Sequence, residues 1–259
     1  MRTIQLLYEN LAEKHVGQRF ALRDPKQLKH LQVIKAEFAN YKYEFIDGKG
    51  FRVKALMKQR QDEGILFEVI EILEDASSLR ASELAVKKVL FLPIIRQAAL
   101  ENAIELVTQL NLYAEIVIYF SDFTRYTTKE YSANKLQRLR KISAGAVGQS
   151  KSSLIPTVSL EPNLASAIAA QGGVENLHLI FPLSQKDTPA FSLSKLAKFM
   201  QIKKGTIALV IGAEGGFGPK EIVLSNQSKK SYQFYFGDSV LTSENAAAVF
   251  SGLVKLAAQ

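Results

Sequence analysis

The sequence contains no cysteine. That excludes disulfides, thiolate nucleophiles and cysteine-based metal sites in one step. Histidine is nearly as scarce. His15, His30 and His178 are scattered without the spacing of metal ligands, so zinc chemistry is not expected. No apolar run approaches the roughly 20 residues that a membrane span requires. The opening stretch MRTIQLLYENLAEKH carries Glu9 and Glu13 and has neither a long apolar core nor a small-residue cleavage site, so no signal peptide is expected. These absences predict a soluble, cytoplasmic protein with no metal and no membrane partner.

What the chain does have is length, apolar content and positive charge. Its 259 residues suffice for two modest domains or one large one, and at 47% apolar it can bury a core. The formal net charge is +8 and the isoelectric point is near 9.4. A basic balance fits a polyanionic partner such as nucleic acid, and it equally fits a solvated basic surface.

Two patterns divide the chain. Residues 1–74 read as β-structure. In YKYEFIDGKGFRVKALM, apolar and polar residues alternate on both sides of Asp47-Gly48, a dipeptide suited to a hairpin turn. EGILFEVIEILED predicts a further strand with Ile65, Phe67 and Val69 on one face. Short strands joined by tight turns predict a small barrel. Its lysines and arginines, Lys29, Lys35 and Arg52 among them, fit either an RNA-contacting surface or protected sheet edges. The polar stretch EDASSLRASE is the expected linker. From residue 84 to 259 strands alternate with helices: KKVLFLPI, AEIVIYFS, NLHLIFPL, GTIALVIG and SYQFYF as strands, with helical spacing between them. That alternation predicts an α/β domain with a mostly parallel sheet covered on both faces, and ligands at the carboxyl ends of its strands.

One such end is VIGAEGGFGPKEI, residues 210–222, with Gly215, Gly216 and Gly218 in four positions. It is not a Walker loop, because Gly218 is followed by Pro219 and Lys220 rather than Lys and Ser or Thr. It is not a dinucleotide fingerprint either, since Gly212 is followed by Ala213 and Glu214. Glu214 would repel a pyrophosphate. A neutral or cationic ligand packed against backbone fits, as does a plain tight turn. A second stretch, FGDSVLTSENAAAVFSGL (236–253), predicts a helix with Ser243 as N-cap and Glu244 and Asn245 in its first turn. Its small residues allow close approach by a ligand or a second backbone.

IGAEGGFGPKEI followed by FGDSVLTSENAAA resembles the RsmE-type 16S rRNA methyltransferases of the SPOUT superfamily. The likeness extends to HLQVIKAEF…FIDGKGFRVKAL, similar to that family's PUA-like barrel, and to LQRLRKISAGAVGQSKSSLIPTV ahead of its knotted half. The resemblance implies a trefoil-knotted C-terminal domain, a homodimer, S-adenosylmethionine as methyl donor and N3 of a uridine in the small ribosomal subunit as acceptor. Carried onto this sequence, the cofactor contacts are Phe181, Pro182 and Leu183, then Ile211, Gly212, Glu214, Gly215 and Gly216, then Val240, Leu241, Ser243 and Asn245. Glu244 is the candidate base, and also an ordinary helix N-terminal carboxylate. Arg138, Lys141 and Lys151 are candidate RNA contacts alongside Lys29, Lys35 and Arg52, with a solvated helix face as the alternative.

The sequence departs from the family at several points. Thr242 and Ser152 stand where the family has arginines, Ala213 where it has proline, and Leu106, Gln109 and Asn111 at its polar and glycine positions. Neither Thr nor Ser replaces a guanidinium fork at a phosphate. The alternatives these departures leave open are a shifted RNA target and an RNA-binding or ribosome-assembly factor on the same fold.

Overall fold

The computed structural model describes all residues except 1, 12–13, 34–40, 76–85, 127–130, 132, 151 and 186. The chain divides into two compact units, Met1–Ser82 with Val147–Ile155, and Glu83–Ala146 with Pro156–Gln259. Most of the expected linker lies outside the described residues.

The first unit is built on a five-stranded sheet: β1 (Arg2–Leu7), β2 (Arg19–Leu22), β3 (Tyr41–Ile46), β4 (Arg52–Gln61) and β5 (Gly64–Glu74), in the order β1-β3-β4-β5-β2. β1 and β3 are parallel and the remaining pairs antiparallel. The β3–β4 turn forms at Asp47-Gly48 as the dipeptide predicts. Gly48 has φ +76, and Asp47 Oδ1 accepts from the backbone N–H of Lys49 (2.7 Å) and Phe51 (2.9 Å). Ile65, Phe67 and Val69 do share the buried face. Phe67 meets Tyr43 and Phe45 edge-on, with centroids 5.1 and 4.8 Å away, and lies 6.0 Å from Phe20.

The reading of this region as β throughout is corrected by α1 (Pro25–Val33). Its start follows from capping chemistry: Asp24 Oδ1 accepts from Gln27 N at 2.8 Å, and Pro25 occupies the first turn, where a missing N–H costs nothing. Leu31 is fully buried beneath it. The segment 147–155 belongs to this unit because its backbone pairs with the β3–β4 turn, Gly50 N donating to Ser153 O and Ile155 N to Gly48 O.

The second unit carries a six-stranded, all-parallel sheet. Its strands are β6 (Val86–Pro93), β7 (Glu115–Tyr119), β8 (Thr157–Glu161), β9 (Leu177–Leu183), β10 (Gly205–Val210) and β11 (Ser231–Tyr235), ordered β11-β9-β10-β6-β7-β8. The sequence pattern did not announce β8. Helices α2 (Gln97–Gln109), α3 (Ala133–Ser150), α4 (Leu164–Ala170), α5 (Leu193–Met200), α6 (Pro219–Gln227) and α7 (Ser243–Ala257) alternate with the strands.

Both faces of this sheet are covered, as successive side chains of a strand require. From β6, Leu90 and Leu92 join Leu100, Ile104 and Val107 of α2 and Ala247, Phe250 and Val254 of α7 on one face. Val89 and Phe91 face the other way, toward Leu164, Ala167 and Ile168 of α4. Beyond α2, Asn111 has φ 49, a left-handed conformation that asparagine tolerates. β10 lies between β9 and β6, which come earlier in the chain. The ends of β9, β10 and β11 are therefore side by side.

Phe67→Ala is expected to destabilise the first unit by about 3–5 kcal/mol, the usual cost of an unfilled aromatic site. Denaturant unfolding measures it, and a loss below about 1 kcal/mol would mean that Phe67 is not central to that core.

Candidate functional site

The loop after β10 is fixed by two hydroxyl groups. Tyr119 Oη, at the end of β7, donates to Ile211 O at 2.6 Å, and Ser243 Oγ donates to Gly212 O at 2.8 Å. The backbone then turns back on itself, with Gly216 N donating to Ala213 O at 2.8 Å. Gly216 takes φ +82, open to glycine without strain. The other glycines are needed for space. A Cβ on Gly212 would stand 3.1 Å from Gly216 C, and one on Gly218 only 2.4 Å from Asp122 Cβ.

Gly218 starts α6. Its N–H donates to Glu221 Oε2 at 2.7 Å, and Ser121 Oγ donates to the same oxygen at 3.2 Å. Glu221 is buried, and its Oε1 has no partner among the described residues. Burial raises its carboxyl above the ordinary glutamate range, against the opposing hydrogen bonds from Gly218 and Ser121. The same burial, reinforced by Glu221 and Asp122 nearby, raises the Tyr119 phenol well above its ordinary value, so it stays a donor at any physiological pH.

A pocket opens where the loops after β9, β10 and β11 meet. Its walls include Pro182, Leu183, Ile211, Gly212, Glu214, Gly216, Val240, Leu241 and Ser243, nine of the twelve residues expected to hold a cofactor. Phe181 is fully buried against Phe217 in the core, with centroids 5.4 Å apart. Gly215 lines a different pocket, and Asn245 is exposed on α7. The expectation of Ser243 as N-cap is corrected: Thr242 occupies that position, which frees the Ser243 hydroxyl for Gly212. Sequence reasoning missed Ala213, Phe236 and Phe250 in the wall, of which Phe236 and Phe250 pack edge-on at 5.2 Å. The interior is about 90 Å³, so a ligand of nucleoside size must occupy the mouth as well, where Val240 is 87% exposed.

Among the described residues the wall contains one carboxylate, Glu214, and no lysine, arginine or histidine. It offers apolar surface, backbone groups and one anion, which suits a flat heteroaromatic group joined to a cation and does not suit a phosphate. Outside the pocket, Arg96 Nε lies 3.2 Å from Glu214 Oε1, a pair that the sequence alone did not suggest. Glu244 lies off the wall, in the first turn of α7, and its Oε2 is buried without a partner among the described residues.

The expected RNA contacts fall in varied settings. Lys29 on α1 and Lys141 on α3 are exposed. Arg52 is mostly buried between Glu74 (2.6 Å) and Glu44 (3.7 Å). Arg138 forms a two-pronged pair with Glu101, at 2.6 and 2.8 Å, which holds that carboxyl below its ordinary range. Lys35 and Lys151 lie outside the described residues. Ser152 is buried in the first unit, where its hydroxyl bonds the backbone of Leu154. Among the described residues no three His, Asp or Glu side chains cluster as a metal site, and no helix is long and apolar enough to cross a membrane.

The family model described as an RNA methyltransferase domain matches residues 82–255. No curated protein sequence matches the chain. Solved structures with a similar fold include a candidate methyltransferase from Legionella pneumophila with S-adenosylmethionine bound. It has 21% identity and a TM-score of 0.75, over 99% of this chain and 98% of that one. Another is the ribosomal RNA small subunit methyltransferase E of Neisseria gonorrhoeae, also bound to S-adenosylmethionine, with 18% identity and a TM-score of 0.70 over 98% of both chains. A candidate rRNA methyltransferase from Porphyromonas gingivalis shares 16% identity with a TM-score of 0.70, again over 98% of both.

The buried Glu221 generates a pH prediction. Its folded pKa is raised, so its contribution to stability is full below the unfolded value near 4.5 and is lost as pH rises through the elevated folded value. Glu221→Gln removes this dependence. The difference in unfolding free energy between parent and variant should therefore drift in favour of the variant across that rise, and a difference that is flat with pH would refute the assignment.

Proposed function

The chain belongs to the RNA methyltransferase domain family, and from that premise we propose that it transfers a methyl group from S-adenosylmethionine to N3 of a uridine in the 16S rRNA of the small ribosomal subunit. The observation that carries the reading is the pocket wall, which among the described residues has Glu214 as its only charge and no cationic side chain. S-adenosylmethionine has an adenosine, a sulfonium and no phosphate, and supplies an already activated methyl group. Pro182, Leu183, Ile211 and Leu241 suit the adenosine, and the Glu214 carboxylate suits the sulfonium. The names of the structural relatives support ribosomal RNA as the acceptor.

The work left to the protein is alignment. Donor atom, methyl carbon and uridine N3 must stand in line, which a loop pinned at Ile211 and Gly212 favours. Uridine N3–H is weakly acidic, and Glu244, whose buried Oε2 has no partner among the described residues, is the proposed proton acceptor. The insertion of β10 between β9 and β6 supports a trefoil-knotted path. A PUA-like closure of the first unit's sheet, a homodimer and a cytoplasmic location complete the proposal. A second reading, an RNA-binding assembly factor, draws on Thr242, exposed at the start of α7 in place of the family's arginine.

The purified protein should bind S-adenosylmethionine at one site per chain in a calorimeter. It should also add a single N3-methyl to a uridine of unmodified small subunits, read by mass spectrometry of the RNA. Ser243→Ala, which frees the Gly212 carbonyl, should weaken cofactor binding about fivefold, the worth of one hydrogen bond. Failure of a folded sample to bind the cofactor would overturn the reading, and binding without transfer to any RNA would favour the assembly factor.

A further inference from the structure

The glycine loop has a second pocket on its other side, of about 490 Å³. Ala213 and Glu214 belong to both pockets, so one short loop is the wall between them. The second pocket is lined by Ile94, Ile95, Arg96, Gly215 and the segment Phe123 to Tyr126 after β7. To the shared Glu214 carboxylate its wall adds two guanidinium groups, Arg96 and Arg125, and two aromatic rings, Phe123 and Tyr126, beside Ile94 and Ile95.

We propose that this pocket holds one unpaired nucleotide of the acceptor RNA strand, its base stacked on Phe123 and its phosphate against Arg125. The proposal rests on the methyltransferase reading for what the strand is doing there, but not for how it is held. Phe123 is 49% exposed, joins none of the hydrophobic clusters and pairs with no other ring among the described residues. The ring lies beside Gly215, 3.2 Å from where a Cβ on that residue would stand. An aromatic face at a pocket wall and left open to solvent suits an unstacked base, which duplex RNA does not present.

The charges are arranged to match. Arg125 is exposed and makes no ion pair among the described residues. Arg96 faces Glu214, but at 70% and 51% exposure the pair is weak, so Arg96 remains available to a phosphate. The segment that carries Phe123 and Arg125 is preformed. Thr124 Oγ1 donates to Ile94 O at 3.1 Å and accepts from Ser121 N at 3.0 Å, while Ser121 is bonded to the buried Glu221. A volume of this size lies within the range of small-molecule sites and admits a nucleotide.

The test uses the full chain and a fluorescein-labelled, uridine-rich single-stranded ribo-oligonucleotide, read by fluorescence anisotropy, with a duplex of equal length as comparison. Calorimetry with S-adenosylmethionine is run on each variant. Phe123→Leu keeps apolar packing on Gly215 but removes the stacking face. It should weaken single-strand binding about tenfold, as loss of one base stack does. Phe123→Tyr should bind within about twofold of the parent, since the ring is retained. Arg125→Ala should weaken binding and lower the salt slope by about 0.7, one phosphate contact. Cofactor affinity should be unchanged in all three.

Unaltered oligonucleotide binding by Phe123→Leu would overturn the proposal. So would equal affinity for the duplex, or a parallel loss of cofactor binding, which would make the ring a support for the loop. If the parent protein binds no cofactor, the methyl-transfer reading falls, and the contrast between Phe123→Leu and Phe123→Tyr still decides whether a base stacks there.

Discussion

Two hydrogen bonds from side-chain hydroxyls to consecutive backbone carbonyls, Tyr119 to Ile211 and Ser243 to Gly212, set the position on which the rest of the second unit's chemistry depends. A carbonyl leaving the end of a parallel strand has no ladder partner and must find one. Here the partners come from the end of β7 and the start of α7, so the loop after β10 is tied on both sides. The turn that follows, closed by Gly216 N on Ala213 O, forms the partition between the two pockets.

The far end of that partition is held by a buried acid. Glu221 accepts from Gly218 at the start of α6 and from Ser121 after β7. Keeping a carboxylate out of water is costly unless it is hydrogen-bonded, and one of its oxygens here has no partner among the described residues. The raised pKa is the trace of that cost. The same contact links the glycine loop to the segment that bears Phe123 and Arg125, so the two pockets share a wall and a common anchor. Their electrostatics differ, although Glu214 lines both. Among the described residues one wall has Glu214 without a cation, and the other adds Arg96 and Arg125 to it.

Much of the fold was legible in the sequence because its signals are local. The period of two in residues 63–75 placed Ile65, Phe67 and Val69 on one buried face, and the helical spacing of Leu100, Ile104 and Val107 did the same for α2. Asp47-Gly48 announced its turn through the φ that glycine permits. Failures were local too. α1 was hidden in a region read by its strands, although Asp24-Pro25 is a helix-start signal. Ser243 looked like a cap because serine commonly is one, but Thr242 leads it by one residue and the serine hydroxyl is used elsewhere.

The sequence by itself determined the alternation of strands and helices, a glycine loop that matches neither phosphate-binding pattern, the family likeness and most of the residues around the first pocket. Only the tertiary structure decided which of those residues face the pocket, that Phe181 turns into the core, and that Arg96 stands beside Glu214, 118 residues away. It alone showed the second pocket. The physical reason is range. Periodicity, capping and turn chemistry act within a few residues and leave a mark on the sequence. The contact of Tyr119 with Ile211, 92 residues apart, exists only because strand order places β6, between β10 and β7, in the middle of one sheet.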